Sequence, residues 1–384
     1  MEQYAKVKFN KGTIIFKAGE MSKEYFYIIL SGKVLARNHF CENYTNTYKE
    51  GDIIGLISSI TYESYYSTVE VLEDVELLQI KIANINKIDN YNLINKISNY
   101  LSFILENWLS RYYAKITKNK VDLYNKEDIL TMANIYKDNN FKDATYKICS
   151  TCIKSFKDDT NIDKAKKLII HIRPVEKTEK ISDNVYRIKK GYCLYSEIDP
   201  NDYIYIIKSG KIGIYSIVNS KQTVRLIYPA GYVINCYQPV LEYKSLLTTA
   251  IILEDSVIEI INKKTLINII NTDPEFRVNY IKITATKINN ATLKIKAINT
   301  DKLDIKLIIL LYSILKIETL FNKSKVVKLS YTIDDLKNTL NLDIKNDKII
   351  LTLNKIKYVE VDASNNIKIT NFQSYFNEYK KYII

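Results

Sequence analysis

The chain carries one stretch twice, as EYFYIILSGKV at Glu24 to Val34 and as DYIYIIKSGKI at Asp202 to Ile212. Each copy is a run of β-branched and aromatic residues that ends in Ser-Gly-Lys and continues into a second apolar run. Such runs are typical of strands, and glycine tolerates the positive φ that a tight turn requires. Both copies therefore predict a strand, a turn and a second strand. The identical pairs are Tyr25/Tyr203, Tyr27/Tyr205, Ile28/Ile206, Ile29/Ile207, Ser31/Ser209, Gly32/Gly210 and Lys33/Lys211.

The repeat extends well beyond this stretch on both sides. The two copies stay about 180 residues apart along their length, so one β-rich unit is used twice and the chain is not a short-period solenoid. The further matching pairs are Lys11-Gly12 with Lys190-Gly191, Gly51 with Gly231, and Leu72-Glu73-Asp74 with Leu253-Glu254-Asp255.

A glycine after an entry strand, the Tyr-Ile-Ile-x-Ser-Gly-Lys stretch, and then Gly-Asp-x-Ile-Gly resemble the cyclic-nucleotide-binding jelly roll of the Crp/Fnr regulators. The resemblance covers roughly residues 5–115 and 183–384 and implies an α+β fold. It implies two jelly-roll domains that are each followed by a long helix, at residues 1–118 and 183–300. A helical hairpin is expected at residues 125–172, and a winged helix-turn-helix at residues 301–384.

Composition places the chain among ordinary globular proteins and excludes several classes. Hydrophobic residues make up 47% and charged residues 26%, and no apolar run reaches the ~18 residues of a membrane helix. The sequence begins without the apolar core of a signal peptide, so a cytoplasmic location without membrane contact is expected. It contains no P-loop, nucleophile elbow or metal-ligand cluster, which predicts neither an enzyme nor a bound cofactor.

The net charge of +13 comes almost entirely from lysine, and the chain is also rich in Ile, Asn and Tyr. This bias is typical of a low-GC genome, so it is weaker evidence for a nucleic-acid partner than the number suggests. A basic surface still attracts polyanions. The five cysteines are scattered, and Cys149-x-x-Cys152 has no second pair with ligand spacing, which favours buried structural thiols over a redox or zinc site.

Two helical stretches follow the β units. Residues 84–118 carry an apolar face at three- and four-residue spacing, and Asp273-Pro274 is typical of a helix start. The family's long helix makes the dimer contact. This chain has two such helices but a single C-terminal reading domain, so the helices at 84–118 and 266–299 either pack together within one chain or each pair in a homodimer. The intramolecular pseudo-dimer is favoured.

Residues 125–172 resemble a single tetratricopeptide-type helical hairpin, which cannot bury its own apolar face. A spacer packed on a neighbouring domain is therefore favoured over a peptide-binding site. Arg173-Pro174 and the charged residues up to Ser182 are predicted to form a linker.

The family pocket uses a glutamate for the ribose and an arginine for the cyclic phosphate, since the planar guanidinium matches phosphate oxygens. In the first copy these positions hold Leu56 and Tyr66, the latter before Ser67, downstream of Gly51. In the second copy they hold Cys236 and Leu247, the latter before Thr248, downstream of Gly231. Neither copy keeps a charged anchor, so neither is expected to bind a cyclic nucleotide.

From residue 301 the predicted order is helix, strand, helix, turn, helix and β hairpin, as in the family's winged helix. Thr332 and Asp343 are the candidate caps of its second and third helices. Lys345, Asn346 and Lys348 would face outward near the start of the third helix, where such helices meet base edges. The resemblance therefore predicts a transcription regulator that binds duplex DNA through this domain. Acidic neighbours and the absence of arginine after Arg277 leave an alternative open, an interaction or scaffold protein that does not bind DNA.

Overall fold

The computed structural model describes residues 4–38, 44–117, 126–155, 160–175, 178–199, 201–235, 248–322 and 324–383. Its first β unit, residues 4–81, is an antiparallel sheet in which β6 lies between β1 and β3, and β4 extends the sheet beyond β3. The elements of this unit are β1 (Tyr4–Phe9), β2 (Ile14–Phe16), β3 (Tyr25–Asn38), β4 (Tyr44–Lys49), β5 (Ile53–Ile54), α1 (Leu56–Thr61) and β6 (Ser67–Lys81).

The second β unit, residues 179–262, repeats this plan with the strand order β11-β10-β13-β8-β7. Its elements are β7 (Glu179–Ser182), β8 (Val185–Ile188), β9 (Cys193–Tyr195), β10 (Tyr203–Val218), β11 (Lys221–Pro229), β12 (Val233–Ile234) and β13 (Thr249–Asn262). The predicted linker therefore ends in a strand, β7, that pairs with β8.

The Ser-Gly-Lys segments do not form turns, and this prediction was wrong. Each lies inside one long strand, β3 or β10, which keeps pairing with β6 or β13 on both sides of the glycine. The pairing register shifts there, and Gly32 and Gly210 have φ of +86° and +88°. A glycine with positive φ that leaves an extra residue in one strand is a β-bulge, which bends the strand without ending it.

The two long helices are α2 (Tyr91–Thr117) and α7 (Pro274–Asn299), the latter preceded by α6 (Leu266–Thr272). The Asp273 carboxylate caps α7 by accepting from the backbone N–H groups of Glu275 and Phe276. α2 and α7 pack against each other within the chain, and their apolar faces join both β units in one core cluster. The Arg277 guanidinium on α7 donates to the Ile88 carbonyl (2.7 Å) just before α2.

Three helices connect the halves: α3 (Lys126–Asp138), α4 (Lys142–Ser155) and α5 (Thr160–Ile169). The first two pack against each other as the predicted hairpin, and α5 is an additional helix that was not predicted. Polar contacts attach them to the second β unit, because the Tyr136 hydroxyl donates to Glu197 (2.7 Å) and Asp143 accepts from the Cys193 N–H (2.7 Å). Cys149 and Cys152 are buried inside this insert, and burial raises the pKa of the Cys149 thiol to about 12.

The C-terminal region has the predicted order of helix, strand, two helices and hairpin. Thr332 and Asp335 cap each other's backbone at the start of α9, as predicted for Thr332. The third helix begins at Asn346 with Lys345 as its cap residue, so Asp343 was wrongly predicted to cap it. The elements are α8 (Leu303–Glu318), β14 (Val327–Lys328), α9 (Ile333–Thr339), α10 (Asn346–Leu353), β15 (Val359–Val361), β16 (Ile367–Ile369) and α11 (Phe372–Tyr379).

No helix in the described part of the chain is both long and apolar enough to cross a membrane.

Candidate functional site

The first β unit contains a cavity of about 110 Å³ between its sheet, α1 and the two long helices. Strand residues such as Phe16 and Ala36 form one wall, and Trp108 of α2 lies on the other. Asn289 and Thr292 of α7 complete the lining, so a helix from the second half of the chain closes a site in the first half. The sequence repeat gives no signal for this contribution, since Asn289 and Thr292 lie far along the chain from Trp108 and the other lining residues.

The structure brings only part of the predicted pocket to this cavity. Tyr66 and Ser67 line it. Leu56 instead points into the core and is completely buried there, because an apolar side chain at the start of α1 packs against the helices. Gly51 does not line the cavity; a Cβ at this position would lie 2.9 Å from the Lys96 amine of α2.

Tyr66, which was predicted from the sequence to stand at the position of the family's arginine, is a neutral group. Burial raises the pKa of its hydroxyl well above 10, and the nearby Glu63 carboxylate adds to this effect. The described residues that line the cavity include no lysine, arginine, aspartate or glutamate. The cavity therefore has aromatic and aliphatic walls with a few neutral polar groups.

A smaller cavity of about 40 Å³ lies next to the first and shares Tyr66 and Asn289 with it. Here the Glu63 carboxylate, almost fully buried, forms an ion pair with Lys316 of α8. The Tyr312 hydroxyl, also on α8, approaches the same carboxylate at 3.3 Å. Glu63 thus connects the loop beside the first cavity to the C-terminal region.

The second β unit differs at the corresponding turn. Cys236 and Leu247 lie outside the described residues, and Thr248 is half-buried just before β13. A Cβ at Gly231 would lie 2.6 Å from the Phe321 ring. The Tyr232 hydroxyl donates to the Ile317 carbonyl (3.0 Å), so this turn is attached to the end of α8.

The predicted nucleic-acid residues lie around the start of α10. Lys345 and Lys348 are exposed. Asn346 is half-buried, and its amide donates to the Asp334 carboxylate of α9 (3.0 Å), so it supports the helix pair. Leu351, which is not among the predicted site residues, is 64% exposed on the same helix.

Parts of the chain are similar to known proteins. Two segments, residues 6–91 and 185–273, match the family model described as the cyclic nucleotide-binding domain. The matched segments coincide with the two β units described above. A search among curated proteins finds no match to this sequence.

Solved structures give matches of low overall similarity. FixK2 from Bradyrhizobium japonicum is 14% identical over 53% of this chain and 97% of its own, with a TM-score of 0.39. A CooA mutant from Carboxydothermus hydrogenoformans is 17% identical over 53% of this chain and 92% of its own, with a TM-score of 0.39. The second domain of PKAR bound to Sp-2Cl-cAMPS is 22% identical over 21% of this chain, with a TM-score of 0.19. This chain spans about half of that protein's length, 52%.

Proposed function

We propose that this protein is a transcription regulator of the Crp/Fnr type that binds duplex DNA through a C-terminal winged helix. The observation that carries the proposal is the exposed start of α10. Its two lysines, Lys345 and Lys348, project from a helix pair that is followed by the β15–β16 hairpin. In helix-turn-helix proteins this end of the second helix enters the major groove.

The test is duplex binding by the full chain at several salt concentrations. Changing Lys345 and Lys348 together to Glu should weaken binding by more than tenfold, because two phosphate or base contacts become repulsive. The slope of log affinity against log salt should also become shallower by about two.

A matched control carries the same charge change far from α10. Lys137 and Lys142 are exposed at the turn between α3 and α4, and their double change to Glu should leave DNA affinity almost unaltered. Equal losses in both double variants would mean that net charge alone attracts DNA. Lack of binding by the parent protein at low salt would reject the proposal.

A second candidate function is a protein-interaction module built on the same domains. Leu351 favours it, since an exposed leucine in the middle of α10 is unusual for a surface that meets phosphates. Leu351→Lys distinguishes the two. A DNA-binding surface should keep or gain affinity for duplex DNA, whereas an apolar protein contact should be lost.

The sensor domains are not expected to respond to cyclic nucleotides. The neutral lining of the first cavity supports this, because a buried phosphate without a cation is strongly disfavoured. Ligand at a hundredfold excess over its dissociation constant would stabilise the protein by about 2.7 kcal/mol. A clear rise in melting temperature with cAMP or cGMP would therefore contradict this proposal.

The protein is also proposed to be a monomer in which α2 and α7 take the place of a dimer contact. Their packing within one chain, with Ile281 and Ile288 of α7 almost fully buried, supports this arrangement. Light scattering at micromolar concentration should give a mass near 44.7 kDa. A stable mass of twice that value would reject it.

A further inference from the structure

The first cavity is suited to a ligand of a particular chemical class. Its aromatic wall includes Phe16 and Tyr65, whose rings stack with their centroids 4.2 Å apart, and Trp108. Pockets with such walls take up flat apolar molecules and select them with a few polar groups. The absence of ionised side chains among its described lining residues disfavours an anion or a cation.

One polar group in the lining lacks a partner. Asn289 is only 5% exposed, and its Oδ1 atom has no hydrogen bond among the residues that the structure describes. A buried acceptor without a donor costs about 1–3 kcal/mol, so such groups in native proteins normally serve a purpose.

The orientation of this amide follows from its neighbour. The Thr61 hydroxyl donates its single hydrogen to the Ile57 carbonyl (2.7 Å), so it can only accept from Asn289. The Asn289 Nδ2 atom therefore points to Thr61 (2.8 Å), and the carbonyl oxygen is the end left over. This oxygen is a site for a hydrogen-bond donor.

We propose that the cavity binds a small uncharged aromatic molecule whose hydroxyl or N–H group donates to the Asn289 carbonyl. The proposal deepens the function proposed above, since it names the ligand class of the first sensor domain. The sequence alone did not point to Asn289, because this residue belongs to the other half of the chain.

Phenol and toluene are matched probes, because they have nearly the same size and differ by a hydroxyl in place of a methyl group. Benzoate adds the charged counterpart. Trp108 is the only tryptophan of the chain and lines the cavity, so its fluorescence reports occupancy directly. Phenol should give a saturable change and bind about tenfold more tightly than toluene, and benzoate should give none.

Three variants assign the effect to the cavity. Asn289→Leu should abolish the preference for phenol and leave toluene binding in place. Ala36→Phe should fill the cavity and prevent binding of both. Asn99→Leu, on the exposed face of α2, should behave as the parent, and circular dichroism shows whether each variant is folded.

The outcomes separate cleanly. Any of three results would overturn the proposal. They are the absence of a saturable response to phenol, tighter binding of benzoate or cAMP than of phenol, and an unchanged preference for phenol over toluene in folded Asn289→Leu. None of these measurements contains DNA, so a failure of DNA binding would leave this result unaffected.

Discussion

The two β units have the same strand plan, yet their surroundings differ. In the first unit, Thr45, Thr47 and Lys49 of β4 are exposed. In the second, the equivalent strand β11 is buried from Thr223 to Tyr228 beneath the C-terminal region. A duplicated sequence followed by a single C-terminal domain cannot give two equal environments. One copy supports that domain, and the other keeps an open cavity.

The two long helices also differ in how much of their polar surface is buried. The buried residues of α2 include no lysine or arginine, whereas those of α7 include Arg277, Lys287 and Lys294. α7 lies between α2, α8 and both β units, so even its polar side chains become buried. The second helix is thus the central element of the molecule, and the first is more peripheral.

The bulge glycines, Gly32 and Gly210, test whether both β units depend on the same close approach to the neighbouring strand. A Cβ at Gly32 would lie 2.2 Å from the Asp74 carbonyl oxygen. A Cβ at Gly210 would lie 2.8 Å from the Asp255 carbonyl and 2.1 Å from the Ser256 hydroxyl. Each change to Ala adds backbone strain to a steric clash. Gly32→Ala should therefore lower the free energy of unfolding by about 4 kcal/mol. Gly210→Ala should cost somewhat less, because the closest atom is on a side chain that can rotate.

The control for this pair is Gly12→Ala. Its φ of +84° is similar, but no atom lies within 4 Å of the added Cβ, so only backbone strain of about 1–2 kcal/mol is expected. Urea unfolding followed by circular dichroism measures the free energy of unfolding of all three variants. If Gly12→Ala is as costly as Gly32→Ala, the close approach to β6 is not what requires glycine.

These glycines also show what sequence can and cannot predict. The repeat, the apolar faces of both helices and the Asp273 and Thr332 caps follow from local residue types, and the structure confirms them. Ser-Gly-Lys was wrongly predicted to be a turn, because a turn and a bulge require the same residues. Only the pairing of β3 with β6, set by residues more than 30 positions away, distinguishes them.

The candidate cavity was predictable only in part for a related reason. Tyr66 and Ser67 follow a recognisable motif and are found in its lining. Asn289 enters from α7 because the two long helices pack together, and Leu56 leaves the pocket because the core is a better environment for leucine. Tertiary packing decides both placements, and neither has a local signature.

The Glu63–Lys316 ion pair tests how the C-terminal region depends on the first β unit. Lys316→Met leaves the almost fully buried Glu63 carboxylate without its cation and should destabilise by about 3 kcal/mol. Adding Glu63→Gln removes the charge and should recover most of that loss, which a double-mutant cycle measures.

Lys357→Met serves as the comparison, since its ion pair with Glu378 is largely exposed and should contribute little. A cycle with no coupling between Glu63 and Lys316 would show that this contact does not hold the two regions together.

Lys294 is a buried cation of α7 that donates to the Arg225 carbonyl and lies 5.4 Å from the Tyr112 ring. Burial lowers the pKa of Lys294 to about 7, and the nearby Arg225 contributes. Between about pH 7 and the ordinary value of 10.5, the unfolded chain holds a proton that the folded protein has released. Stability attributable to this group therefore rises with pH across that window and is lowest below pH 7.

Lys294→Met should remove this dependence and stabilise the protein at pH 6 by about 2 kcal/mol, since an apolar side chain avoids the cost of burying a charge. The advantage over the parent should shrink toward pH 10, where Lys294 is neutral in the folded state. Lys302→Met, at an exposed position before α8, should follow the parent's pH profile. A constant difference between Lys294→Met and the parent from pH 6 to 10 would mean that Lys294 keeps its proton in the core. α7 would then hold a permanent positive charge among buried residues, and contacts with neighbouring residues would have to stabilise that charge.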